Sequence, residues 1–158
     1  MKIAIFKLED KEYGVEIEQI REVIRMKEFT PVPDAAEFVE GVIILRGEVV
    51  PLISLRKKLS LCEVKSSKQN RILVTEIDSH SIGVVVDSVS DVVVFDEASI
   101  TSPDDLLKEA NYLIGVGRIG ERLILIVDIK KLLEDKGKEG IKEIYNRVEI
   151  RKKDRHAI

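Results

Sequence analysis

Tyr13-Gly14-Val15-Glu16-Ile17-Glu18-Gln19-Ile20-Arg21-Glu22-Val23-Ile24 and Ile82-Gly83-Val84-Val85-Val86-Asp87-Ser88-Val89-Ser90-Asp91-Val92-Val93 are two versions of one stretch, set 69 positions apart from Gly14 to Gly83. The glycine, most apolar positions and two acidic positions coincide. Self-similarity at a fixed spacing marks a fold made by repeating a unit. Carried backwards, the offset lays Ile3-Ala4-Ile5 over Ile72-Leu73-Val74. Further on, Glu40-Gly41-Val42 falls on Ile114-Gly115-Val116 at an offset of 74, and that register continues through Val49–Lys57 over Leu123–Lys131. The second copy therefore holds five extra residues (74 against 69), placed between Val93 and Gly115.

Both copies consist of short β-branched runs separated by turn residues, the pattern of strands and hairpins. Lys2–Leu8 and Tyr13–Ile17 flank Glu9-Asp10-Lys11-Glu12, and Arg71–Ile77 and Ser81–Asp87 flank Asp78-Ser79-His80. Val42–Arg46 and Val49–Ser54 flank Gly47-Glu48, with Val116–Ile119, Gly120-Glu121 and Arg122–Val127 as the counterpart. Gly47 supplies the positive φ that tight hairpins require. Leu55–Leu59 and Ile129–Glu134 close the copies as short helical turns, while Pro31, Pro33 and Pro103 belong in loops or at strand edges. The expected fold is all-β: one small barrel per copy, the two packed face to face about an approximate two-fold axis with a groove at their junction. The subdomains run from about 1 to 64 and from 70 to 134, joined by polar Lys65-Ser66-Ser67-Lys68-Gln69-Asn70. Residues 135–158 form a charged tail in which Ile141, Ile144, Tyr145 and Val148 recur at helical spacing, predicting a C-terminal helix.

Composition excludes several classes. Hydrophobic residues make up 44% of the 158, enough for a core. With 26 Lys plus Arg against 29 Asp plus Glu, the net charge is −3, and there are four Phe, three Tyr and no Trp. Neither a basic footprint nor a stacking platform for nucleic acid is supplied. A barrel protein binding nucleic acid through Arg46 and the basic tail is the alternative reading, disfavoured on these grounds. Cys62 is the sole cysteine, so no internal disulfide or multi-cysteine metal site can form, and beside Leu61 it reads as a small packed hydrophobe. No signal peptide is evident at the N-terminus, and no apolar run reaches the roughly 20 residues of a membrane span. A cytoplasmic protein is expected, with no direct membrane insertion.

An enzyme needs a convergent nucleophile, base and stabilising donors. His80, in a hairpin, and His156, in the tail, have no partner suggested by spacing. Gly115-Val116-Gly117 lies inside a strand without the following helix of a phosphate loop, so close backbone approach is the better reading. Asp87, Asp91, Asp96 and Glu97 are acidic, but Asp87 and Asp91 match Glu18 and Glu22 and are explained as polar positions of the repeat. No catalytic residues and no cofactor are expected. What stands out is contact chemistry. Ile20, Val23, Val89 and Val92 occupy equivalent places in the two copies; they are either ordinary core or the lining of the junction groove. Arg46, at the tip of an apolar run, either grips a partner's carboxylate or carbonyls or closes a local salt bridge, and spacing alone favours the latter.

The ordered series of motifs resembles the CheW-like domain family. Glu12–Ile17, Glu22–Arg25 and Thr30-Pro31-Val32-Pro33 resemble its opening, and Phe38–Arg56 its signature, in which Arg46-Gly47 precedes a strand with a central proline, here Pro51. Gly83–Val92, Tyr112–Gly117 and Leu123–Leu133 resemble the second half, so the likeness spans about residues 2 to 134. Ile44 departs from the family's usual Asn and is read as a buried strand position. The resemblance implies two pseudo-symmetric five-stranded SH3-like barrels. It also implies a non-enzymatic adaptor of chemotaxis, bridging chemoreceptor cytoplasmic tips and the regulatory domain of the histidine kinase CheA within membrane-associated arrays. By position, Ile20, Glu22, Arg46, Val89 and Val92 match the receptor-binding groove, and Thr101 and Leu106 match a loop turned toward the kinase.

Overall fold

The computed structural model describes residues 1–62, 67–102 and 111–134. The predicted C-terminal helix, His156 and Leu106 lie outside these. Among the described residues eleven strands occur in the order β1 (Lys2–Leu8), β2 (Lys11–Glu16), β3 (Glu22–Arg25), β4 (Val39–Leu45), β5 (Glu48–Ser54), β6 (Arg71–Ile77), β7 (His80–Val86), β8 (Ser88–Val94), β9 (Ile100–Thr101), β10 (Leu113–Ile119) and β11 (Arg122–Val127). Two short helices, α1 (Leu55–Lys58) and α2 (Ile129–Glu134), follow β5 and β11 as the sequence predicts.

The strands form two sheets, ordered β8-β1-β2-β11-β10-β9 and β3-β6-β7-β5-β4. Exchanging the copies (β1 for β6, β2 for β7, β3 for β8, β4 for β10, β5 for β11) converts one order into the other, with β9 added at an edge. The position of β9 in the first copy is held by a single bridge, Thr30 to Val42, matching Thr101 to Val116. Pseudo-symmetry is thus confirmed, but the expectation that each copy builds its own barrel needs correction. Each sheet takes strands from both copies, joined by the parallel pairs β2–β11 and β5–β7. The chain leaves the first sheet after β2 and returns after β7, so the break near residues 64–70 separates copies and not sheets.

Three cores explain the continuous apolar runs. Ile3, Ile5, Phe95, Ile124 and Ile126 cluster inside the first sheet, and Ile43, Val50, Leu52, Ile72 and Val74 inside the second. Both ends of a sheet feed its core, as the strands of a barrel do: a Cβ on Gly117 would lie 2.8 Å from Phe95, just beyond β8. Between the sheets lies a third cluster. It takes Ala4, Phe6, Leu8, Tyr13 and Val15 from one side, Leu73, Ile77, Ile82, Val84 and Val86 from the other, and Leu55, Ile129, Leu132 and Leu133 from the helices. Strands β1 and β6 are therefore buried on both faces, and such strands lose the polar–apolar alternation of half-exposed ones. Gly14 and Gly83 mark the parallel junctions, where added Cβ atoms would fall 2.5 Å from Ile3 and 2.6 Å from Leu52. Side chains of neighbouring strands fill the space a Cβ would need at both glycines.

Candidate functional site

The hairpin between β4 and β5 decides where the candidate arginine points. Leu45 pairs with Glu48, so the two-residue turn is Arg46-Gly47, one position earlier than the sequence suggests. Arg46 has φ 51° and Gly47 φ 80°. Positive φ at both central residues is the backbone of a primed hairpin turn. An arginine there is unusual, because a Cβ crowds the following carbonyl in the left-handed region. The Arg46 side chain is 75% exposed and its Nη2 donates to Glu22 Oε2 at 2.7 Å. Glu22 opens β3, paired with Val74. The local salt bridge anticipated for Arg46 is present, and it joins two of the candidate residues.

The remaining candidates fall into groups at the edges of the two sheets. Ile20, just before β3, and Val89, in β8, both pack against the central core at equivalent places in the copies. Val23 and Val92, three residues further along, are 43% and 53% exposed. Ile20, Glu22 and Arg46 thus belong to the second sheet, and Val89 and Val92 to the first. Thr101 is an exposed residue of β9, at the opposite edge of the first sheet from β8. Val94, also on β8, is 68% exposed and extends the apolar edge beyond the residues singled out from sequence.

Two expectations are overturned. Ile44 is 67% exposed, with its carbonyl accepting from Lys27 Nζ at 2.7 Å, so the position is an outward one on the edge strand β4. Cys62 is exposed too, and its carbonyl accepts from Arg56 Nη1 at 2.7 Å. The structural reading of Gly115 and Gly117 holds, since Cβ atoms there would meet Ile100 at 2.5 Å and Phe95 at 2.8 Å.

Two ion pairs across the copies were not legible as sites. Arg56, in α1, donates to Asp87 Oδ1 through Nε at 2.6 Å and to Oδ2 through Nη2, while the Glu9 amide donates to the same Oδ2 at 2.7 Å. Burial pushes the Asp87 carboxyl up, but the Arg56 and Glu9 hydrogen bonds and the Arg56 charge prevail and hold it below its ordinary value. Asp87 is therefore occupied by a cation of the chain itself. Arg122, at the start of β11, binds Glu12 of β2 bidentately at 2.6 and 3.0 Å. That hydrogen bonding, opposed by burial, lowers the Glu12 pKa. The second pair borders an open cleft of about 530 Å³ lined by Lys7, Asp10, Glu12, Ser90, Asp91 and Arg122. Among the described residues, no group of three or more His, Cys, Asp or Glu is placed to hold a metal. No helix among them is long and apolar enough to cross a membrane.

Comparison with known proteins fits this geometry. The family model described as the CheW-like domain matches residues 2–137. Chemotaxis protein CheW of Klebsiella aerogenes is 36% identical over 131 residues, covering 82% of this chain and 79% of that protein. Chemotaxis protein CheW of Bacillus subtilis is 30% identical over 141 residues, with 88% and 90% covered. The crystal structure of the scaffolding protein TtCheW from Thermoanaerobacter tengcongensis superposes with a TM-score of 0.78 at 33% identity, covering 86% of this chain and 94% of that one. A duplicated two-sheet fold with an arginine at a hairpin tip, matched over most of its length, makes this chain a member of the CheW-like domain family, a family of chemotaxis adaptors and not of enzymes.

Proposed function

We propose that the protein couples chemoreceptors to the histidine kinase CheA in the cytoplasm, at membrane-associated receptor arrays. Ile20, Glu22, Arg46, Val89 and Val92 form the receptor-binding seam, and the segment of Thr101 and Leu106 faces the kinase regulatory domain. The observation that carries this reading is Arg46. It holds a backbone conformation suited to glycine, yet its guanidinium is largely in solvent beside an edge strand bearing exposed Val23. Positive φ also occurs at Glu9, Asp34, Ser60, Asp78 and Ser79, so what sets Arg46 apart is its exposed guanidinium beside that apolar edge. A polar anchor at the rim of an apolar patch is the composition that protein interfaces favour.

The test is Arg46→Ala. Its circular dichroism should match the parent, since only an exposed bridge is lost. Retention by an immobilised receptor signalling tip should fall about tenfold, the loss typical of an interface anchor. Parent-like retention would remove Arg46 from the seam. Co-elution of the purified protein with a CheA regulatory domain tests the kinase side independently.

A further inference from the structure

The chain crosses between its sheets at two corners, and each corner is clamped by the helix that ends the other copy. At the first, between β2 and β3, a 3₁₀ turn spans Ile17–Gln19. Gln19 Oε1 accepts from the Ile129 amide at 3.0 Å and its Nε2 donates to Asp128 Oδ1 at 3.0 Å, so a neutral amide binds the start of α2. Buried Thr75 adds a 2.6 Å hydrogen bond from Oγ1 to the Gln19 carbonyl. At the second corner there is no such turn. Asp87 alone separates β7, in one sheet, from β8, in the other.

Whatever holds Asp87 therefore sets where β8 begins. Its amide donates to the Lys7 carbonyl at 3.1 Å, and its carboxylate takes the Arg56 fork and the Glu9 amide. The Arg56 side chain is only 13% exposed and spends its remaining nitrogen on the Cys62 carbonyl, with Glu9 Oε1 at 3.6 Å. A bidentate arginine–carboxylate pair fixes direction as well as distance. The equivalent positions in the other half, Glu18 and Lys130, are both exposed, so the ionic clamp belongs to the β8 corner.

We propose that Arg56 and Asp87 are a positioning pair: by fixing the corner before Ser88 they set the pose of β8, and with it Val89 and Val92, for the partner. The partner role of those valines rests on the reading proposed above; the fixing of β8 does not. Neither Arg56 nor Asp87 need touch the partner. Gln19 is the corresponding positioning residue for β3.

The experiment compares amide hydrogen exchange in β8 and β3, and binding to an isolated receptor signalling tip, for the parent, Arg56→Gln, Arg56→Lys and Gln19→Ala. In Arg56→Gln, β8 amides should exchange about tenfold faster with β3 unchanged, as local opening predicts, and binding should weaken. Arg56→Lys keeps the charge without the fork, so it should lie between parent and Gln; it carries the test if Arg56→Gln fails to fold. Gln19→Ala should loosen β3 and leave β8 alone. Equal acceleration in both strands, or none in β8, overturns the proposal. So does parent-like binding by a variant whose β8 is loosened. A parent protein that binds no receptor tip counts against the function proposed above, and the exchange pattern still decides the clamp.

Discussion

The two hairpin tips related by the pseudo-symmetry turn differently: β4–β5 has positive φ at both Arg46 and Gly47, whereas β10–β11 has it at Gly120 and not at Glu121. Between β10 and β11, Ile119 pairs with Arg122 and the left-handed residue is Gly120, with φ 60°. Between β4 and β5, the equivalent residue is Arg46, with φ 51°. The left-handed conformation costs a side-chain-bearing residue about 1–2 kcal/mol. The exposed bridge to Glu22 returns about 0.2–1 kcal/mol. Glycine in turn brings about 0.5–1 kcal/mol of extra unfolded-chain entropy, so stability alone does not choose between them, yet the second copy has glycine and the first does not. The interiors agree more closely, as in Ile3 with Ile72, Val15 with Val84 and Leu52 with Ile126, although Phe6 is matched by Thr75 and Ile43 by Gly117. The copies have thus diverged on the surface while keeping one packing scheme.

The largest effect should come where the halves are most alike. Leu52 and Ile126 are equivalent residues, each 0% exposed, in the cores of the two sheets. Leu52→Ala and Ile126→Ala should each cost about 2–5 kcal/mol by denaturant unfolding, from lost burial and the cavity left behind. Because each sheet contains strands of both copies, both variants should unfold in one transition. Two separated transitions in either variant would mean that the sheets are independent and that the exchange of strands couples little.

A smaller effect separates the ionic contacts. The Asp87 carboxyl is depressed by Arg56 and the Glu9 amide against the pull of burial, and Glu12 chiefly by its hydrogen bonds from Arg122. A carboxyl with a lowered folded-state pKa stabilises fully above its unfolded value, and that contribution fades as pH falls through the folded value. The melting midpoint should therefore hold down to about pH 5 and drop below about pH 4, where unfolded Asp and Glu begin to take up protons. In Asp87→Asn the midpoint at neutral pH should be lower and the acid drop shallower. An acid drop as steep as the parent's would show that other carboxylates dominate.

Much of this organisation is legible in the sequence. The offset of Gly14 and Gly83 reveals the duplication because a Cβ at either would run into a packed side chain, Ile3 at one and Leu52 at the other. The β1 and β6 runs are recognisable as strands from their Ile, Val and Leu content. Their faces are not, because Ile3 and Ile5 enter one core while Ala4 and Phe6 enter another. The exchange of strands is hidden for a different reason. Nothing in a local pattern says whether β2 pairs with β11 or β5, since both partners are apolar and equivalent by the repeat. Facing is equally silent: Ile44 reads as buried by its type, yet it alternates with buried Ile43 along β4 and points to solvent. Glu22 and Arg46 could be named as candidates through the family resemblance, whereas the Arg56–Asp87 contact joins residues 31 apart through a crossover that only the folded chain displays.

The smallest effect bears most directly on why the tips differ. Arg46→Gly removes the left-handed strain and loses an exposed salt bridge, and glycine adds about 0.5–1 kcal/mol of unfolded-chain entropy to be overcome. These nearly cancel, so the urea midpoint should lie within about 1 kcal/mol of the parent, on the stable side if the strain is fully released. The reciprocal Gly120→Arg puts a side chain at φ 60° in a turn whose next residue, Glu121, lacks the positive φ of Gly47, so the strain is not relieved as at Arg46. It should lose about 1 kcal/mol. A loss well beyond 1 kcal/mol in Arg46→Gly would mean that the arginine is a structural member of the β3–β5 face, and the case for a side chain kept for a partner would then have to rest on binding data alone. Near-neutral folding together with weakened retention by a receptor tip would separate the two roles within a single substitution.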